Sequence, residues 1–406
     1  MEFFTHTLDN GIRIIHKPEA GEVSYSGIII NAGSRDEEEH EHGMAHFIEH
    51  VVFKGTLKRR AFHVLSRLED VGGELNAYTT KEETCIYATF LKEDYQRSME
   101  LIADITFHST FPEKELVKEK EVIMDEINSY KDSPADLIFD DFEELLYPNH
   151  PIGRNILGTP EMLKTFTRKD IYRFIQNNYH TDQMVYCSVG QQDFKRVVKL
   201  AEKYFGSIPE NKRQVKRSPI AKSEPKVVVI DKETYQSHIM LGGIAYDYNH
   251  PKRLGLHLLN NLLGGPGMNS RLNMSLREKK GIAYNIESSY SAFYGTGVFS
   301  VYLGTDRKNV DKSLKIVYAE LNKLRNNSLG SMQLHKAKKQ LKGQIAISSE
   351  NKESLMLNIG KSFLLYNKVD SLPHIYNKID ELSASDLLHI ANECMNPDNM
   401  SQLIYL

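Results

Sequence analysis

Two histidines and a glutamate fall within five residues of one another in the stretch GMAHFIEHVVFKGT, residues 43–56. On a helix, 100° per residue sets Met44, Phe47, Ile48, Val51 and Val52 on one apolar stripe and gathers His46, Glu49 and His50 on the opposite face. His46 and His50 are four apart, so their imidazoles project side by side and can reach one ion. Neutral imidazoles suit a borderline-soft divalent ion such as Zn²⁺ and leave positions open for another ligand and for water. Glu49 lies between the histidines, placed to touch a water on such an ion rather than the ion itself. Taken alone, the pair also fits two solvated histidines on a surface helix, and a third ligand decides between these readings.

The segment EKELVKEKEVIMDEINSYK, from Glu113, is the source to examine. It follows Pro112 and carries a helical stripe of Leu116, Ile123, Ile127 and Tyr130, from which Lys114, Lys118, Glu121 and Asp125 project away. Glu119 and Glu126 instead align along the edge of that stripe, seven residues apart. A carboxylate there must meet a cation or a hydrogen-bond donor, because burying it bare is costly, or it must snorkel to water.

The pattern HFIEH, an H-x-x-E-H spacing, followed 76 residues later by Glu126 with Glu119 seven positions before it, resembles the zinc peptidase family of pitrilysin, insulysin and the mitochondrial processing peptidase. The resemblance implies that His46, His50 and Glu126 bind one Zn²⁺ per chain, that Glu49 is the general base, and that Glu119 is a supporting carboxylate behind the ligands. GGELNAYTTKEE, from Gly72, is similar to a second segment of that family, which implies that Asn76 hydrogen-bonds substrate and Ala77 offers its main chain on a strand edge. LLGGPGMNSRLNMSLREKKGIAYNIESSY, from Leu262, looks like the family's glycine-rich segment. It lacks the order of a phosphate loop. Arg277 and Tyr284 match the family's arginine and tyrosine that contact substrate. No second H-x-x-E-H occurs in this half of the chain.

The elements that must position these residues divide into two similar halves. Pro209–Lys226, PENKRQVKRSPIAKSEPK, is polar, basic and carries three prolines, so 1–210 reads as an N-terminal catalytic domain, 211–225 as a linker and 226–406 as a duplicated C-terminal domain supplying substrate-binding residues. FTRKDIYRFIQNNYHTDQMVYCSVG, from Phe166, and LSASDLLHIANECMNPDNMSQLIYL, from Leu382, each read as a capped helix, a turn and a strand without a gap. Thr167 and Ser383 stand three residues before Asp170 and Asp386, a capping-box spacing. GIRIIHKP and SYSGIIINAGS read as strands, AFHVLSRLEDVGG as a helix stopped by glycines, and LNAYTTKEETCIYATFL as two adjoining strands. Without a steady strand–helix alternation, the expected class is α+β: two homologous domains, each a mainly antiparallel sheet packed with helices.

Composition bounds the remaining choices. The chain has 406 residues, a net charge of −3 and 40% hydrophobic residues, which gives no electrostatic argument for nucleic acid. No uncharged apolar run approaches the roughly 18 residues of a membrane span. The start lacks the pattern of a signal peptide, so the expected location is cytoplasmic. Cys85, Cys187 and Cys394 have no paired spacing, and neither a disulfide framework nor a thiolate site is suggested. The family resemblance implies peptide substrates and, for a half-size chain, a homodimer closing a chamber in which Arg277 and Tyr284 of each subunit face the partner's metal site. The rival expectation is a non-catalytic partner subunit of a peptidase-like complex. The acidic run DEEEHEH, Asp36 to His42, reads either as solvated surface or as an attractor of basic peptides.

Overall fold

The structure, a computed structural model, describes residues 3–220 and 224–406. The first half of the chain runs β1 (Phe4–Thr7), β2 (Arg13–Pro18), β3 (Val23–Ile30), α1 (Met44–Val51), α2 (Ala61–Glu69), β4 (Glu74–Thr79), β5 (Thr84–Leu91), α3 (Tyr95–Phe107), α4 (Glu113–Lys131), α5 (Pro134–Leu146), α6 (Pro160–Thr165), α7 (Arg168–Asn178), β6 (Met184–Gly190) and α8 (Phe194–Phe205). The second runs β7 (Val227–Ile230), β8 (Ser237–Ala245), α9 (Arg253–Gly264), β9 (Ala283–Phe293), β10 (Thr296–Thr305), α10 (Val310–Asn326), α11 (Ser331–Glu350), α12 (Lys352–Tyr366), α13 (Leu372–Glu381), α14 (Ala384–Cys394) and β11 (Ser401–Tyr405).

The class is α+β, built twice. One sheet has the order β1-β2-β6-β3-β5-β4 and the other β7-β11-β8-β10-β9. In each, one parallel pair (β2 with β6, β7 with β11) joins otherwise antiparallel strands. Taken in order, β2 to β6 occupy the same places as β7 to β11. Both expected capping boxes form: Thr167 N–H donates to Asp170 at 2.9 Å and Ser383 N–H to Asp386 at 2.8 Å.

The compact units are not contiguous in sequence. The first gathers Met1–Ile127, Arg154–Lys216 and Ala346–Leu372, and the second Asn128–Gly153, Arg217–Ile345 and Pro373–Leu406. Alternation along the strands explains why. In the first unit Ile28 and Ile30 face the core that includes Phe47, Val51 and Ile102, while Ile29, with Ile15 and Cys187, faces Met356, Ile359 and Phe363 of α12. In the second, Leu241, Phe299 and Val301 pack with Leu256, Leu321 and Leu387, while Met240, Val298 and Tyr302 pack with Ile138, Phe142 and Leu146 of α5. Each sheet is therefore covered on one face by a helix from the opposite half of the sequence. In the segment read as a linker, residues 221–223 lie outside those described. Its beginning is anchored on the first unit, where Thr181 N–H donates to Asn211 O at 2.8 Å and Arg213 pairs with Asp36 at 3.2 Å.

Gly360 is what lets α12 approach its sheet. A Cβ there would lie 2.6 Å from Cys187 Sγ and 2.7 Å from Ile29 Cδ1. Gly360→Leu is expected to lower the unfolding free energy by about 1–3 kcal/mol or more through overpacking. Gly343→Leu, where a Cβ meets nothing within 4 Å, is expected to show no such loss; denaturant melts of the two variants check this.

Candidate metal centre

The centre is built on α1, a helix of only eight residues. So short a helix is marginal by itself and must be fixed by its surroundings. It begins at Gly43, which sits at φ +96°, and a Cβ there would fall 2.8 Å from Gly158 Cα. Only glycine serves in that left-handed, crowded place. Met44, Phe47, Ile48 and Val51 are buried as the stripe requires. The far end is pinned where Ser109 Oγ donates to Val52 O at 3.0 Å. Beyond it, Thr56 Oγ1 donates to Asp104 at 2.8 Å, and Arg59 bridges Asp104 and Glu100 at 2.5 and 2.8 Å.

The three residues expected as ligands converge. His46 Nε2 stands 3.7 Å and His50 Nε2 3.4 Å from Glu126 Oε2. Among the described residues these three form the group able to hold a metal ion, with ligand atoms all within 4.8 Å of one another. Tetrahedral coordination at ~2.0–2.2 Å would set ligand atoms roughly 3.3–3.6 Å apart, so the donor set fits a divalent ion. The alternative of solvated histidines fails for His46, which is 7% exposed. Burial, with His50 nearby, pushes the His46 imidazolium down to about 4, which keeps the ring neutral and ligand-competent near neutral pH. Its Nδ1 is buried without a hydrogen-bond partner among the described residues.

Glu119 lies behind His50, on the side of the ring away from Glu126. His50 Nδ1 lies 3.4 Å from Glu119 Oε2, which orients that ring with Nε2 toward Glu126. The other Glu119 oxygen accepts from Lys54 Nζ at 2.7 Å. Lys54 was not singled out from the sequence; the available signal was its place four residues after His50, one turn further along the same run. It supplies the cation that a mostly buried Glu119 requires.

Glu49 is half-buried. Burial raises its carboxyl above the ordinary glutamate value, while Thr79 hydrogen bonds and His50 oppose the rise and Glu126 adds to it. Thr79 ends β4, the outermost strand of its sheet, which among the described residues is hydrogen-bonded only to β5. Asn76 and Ala77 lie on this strand, Asn76 exposed and Ala77 half-buried. A free strand edge thus starts beside the carboxylate.

Arg277 and Tyr284 come together in the second unit, with the guanidinium 4.7 Å above the tyrosine ring. Arg277 rides on a wide turn, Asn273–Glu278, in which Lys279 N–H reaches back five residues to Met274 O. Such π-turns concentrate at functional sites. Both side chains line a cavity of about 570 Å³ with Gly264, Gly265, Gly267 and Asp136.

The acidic run divides into buried, partnered carboxylates and exposed ones. Asp36 binds Arg213, Glu41 binds Arg173 at 3.4 Å, and Glu37 is 3% exposed, accepting from Gly43 N–H and Ala45 N–H at 2.9 Å each. Only Glu38, Glu39 and His40 of the run are exposed. Three of the five carboxylates, Asp36, Glu37 and Glu41, therefore fasten loops and helix ends, and Glu38 and Glu39 face water.

Comparison with known proteins accords with this geometry. A family model described as insulinase (peptidase family M16) matches residues 13–160, and one described as peptidase M16 inactive domain matches residues 165–341. A Bacillus subtilis (strain 168) protein described as "Uncharacterized zinc protease YmxG" is 34% identical over 98% of this chain and 97% of its own. A Mycobacterium leprae protein, also described as a zinc protease, is 31% identical over 96% of this chain and 88% of its own. A solved structure described as a protease from Helicobacter pylori shares the fold, with TM-score 0.92, 24% identity and coverage of 100% and 99% of the two chains. A Pseudomonas fluorescens structure titled as a peptidase M16 inactive domain superposes with TM-score 0.93 at 20% identity over 100% and 98%. With its paired sheets, its histidine helix and relatives matched almost end to end, the chain belongs to the insulinase family of peptidases, M16, in its half-size bacterial form.

Proposed function

We propose that this protein is an active zinc metallopeptidase that cleaves unfolded peptides, with one Zn²⁺ per chain held by His46, His50 and Glu126. The observation that carries the reading is the convergence of those three donors beside a half-buried Glu49. The zinc protease names of relatives at 31–34% identity support it. Bound there, Zn²⁺ supplies Lewis acidity toward a water and a substrate carbonyl. Glu49 takes the proton of the attacking water and delivers it to the leaving amine. His50 is kept in the required tautomer by Glu119, itself held by Lys54. Extended substrate adds to the edge of β4, gripped by the main chain around Ala77 and by Asn76, a mode that suits loose sequence preference. Arg277 and Tyr284 donate hydrogen bonds to substrate carbonyl and developing oxyanion. In this reading the protein is a homodimer, and these two residues serve the centre of the other copy.

Glu49→Gln is expected to retain zinc while losing about 10²–10⁴-fold in kcat, whereas Glu126→Gln is expected to lose zinc on dialysis; metal analysis beside peptide cleavage separates the two. A base must be deprotonated, so activity falls as pH falls through its pKa. With Glu49 raised, the acid limb of kcat/KM is expected above the ordinary glutamate value of 4.5, and a limb at or below it counts against Glu49 as the base. If the sites are completed between copies, an exchanged equimolar mixture of inactive Glu49→Gln and Arg277→Ala chains should recover about a quarter of wild-type activity by random pairing. A fully active monomer in sedimentation would refute the dimer.

A further inference from the structure

One buried carboxylate near the centre has no task in either the ligand set or the proposed reaction. Glu37 is 3% exposed, and none of the ion pairs found among the described residues reaches it. Its two oxygens divide between two backbone donors: Oε2 accepts from Gly43 N–H and Oε1 from Ala45 N–H, both at 2.9 Å. These amides belong to the start of α1, where the first N–H groups of a helix have no partner within it. Gly43, the residue in the capping position, has no side chain to supply one. A carboxylate at this end also meets the positive pole of the helix. Burial raises the Glu37 carboxyl above the ordinary glutamate value, and the two amides, then Arg154, pull it back toward the ionised form. A buried carboxylate is expensive to keep, and a residue with no task there would be replaced without loss by an apolar one.

We infer that Glu37 is a positioning residue of the metal centre: by clamping two amides at the first turn of α1, it fixes the rotation of the helix and so aims His46 and His50 at one point. The lever is short, since Ala45 directly precedes His46 and His50 follows one turn later. Constellations of this kind must be held within about 0.5 Å to work. The inference rests on the zinc reading above, and it concerns what makes the ligand set rigid rather than which atoms are in it.

Glu37→Gln preserves shape but turns an amide NH₂ toward a backbone N–H, so one clamp is lost. Glu41→Gln is the matched control: Glu41 is also 3% exposed and lies in the same run, but it binds Arg173 and the Glu38 amide rather than α1. The apo-proteins of wild type and both variants would be titrated with Co²⁺, reading affinity and the ligand-field spectrum, with amide hydrogen exchange of α1 followed in the absence of metal. Glu37→Gln is expected to weaken Co²⁺ binding by roughly tenfold or more, to alter the spectrum and to speed exchange at Gly43 and Ala45, with Glu41→Gln close to wild type. Equal affinity and spectra in Glu37→Gln and wild type would overturn the assignment, as would equal losses in both variants. Should Glu37→Gln not fold, Glu37→Asp, which keeps the charge on a shorter reach, is read in the same titration; wild-type binding there also overturns it. Failure of wild type itself to bind Co²⁺ would instead remove the metal reading.

Discussion

Two imidazoles one helical turn apart share an ion only if the helix beneath them cannot rotate or fray. That constraint organises the first unit. An eight-residue helix has too few internal bonds to hold its own shape, so its restraint comes from elsewhere. A left-handed glycine and a buried carboxylate fix its start. Apolar residues on its inner face seat it against the sheet, and the Thr56–Arg59–Asp104 lock closes the loop that follows. Glu126 is then brought in from α4, whose Ile123 and Ile127 are buried in the same core that receives Phe47 and Val51.

The charges around the centre follow from the same economy of burial. A low-dielectric setting keeps His46 neutral and raises Glu49, both of which suit a ligand and a base respectively. It would also penalise Glu119, and there Lys54 restores the balance at 2.7 Å. The carboxylates around the site meet different sets of partners: backbone N–H groups for Glu37, an ammonium and the His50 ring for Glu119, and both imidazoles for Glu126.

What could be read from the sequence was what lies along a single element. His46, Glu49 and His50 are related by helical spacing, and Glu119 and Glu126 by two turns of one helix, so both groups were legible before any fold was known. The strands, the capping boxes and the repeated architecture were legible for the same reason. Thr79 and Glu37 were not, because each acts between elements and leaves no periodic trace; Lys54 sits one turn after His50 in sequence, but its pairing with Glu119 joins two helical segments and shows only in the fold. The acidic run could not be divided from sequence, because a carboxylate that caps a helix and one that faces water are the same letter. Nor does any local pattern say which sheet α5 or α12 covers, since an amphipathic helix reads alike whichever apolar face receives it.

That last ambiguity has an evolutionary reading. If the two halves descend from one gene, the ancestral half-length chain carried a helix shaped for a sheet belonging to a second molecule. Such a chain, alone in water, would have left one side of its own sheet bare. It would have existed as an intertwined pair from the outset, and fusion of the genes would have converted an association between strangers into a permanent one.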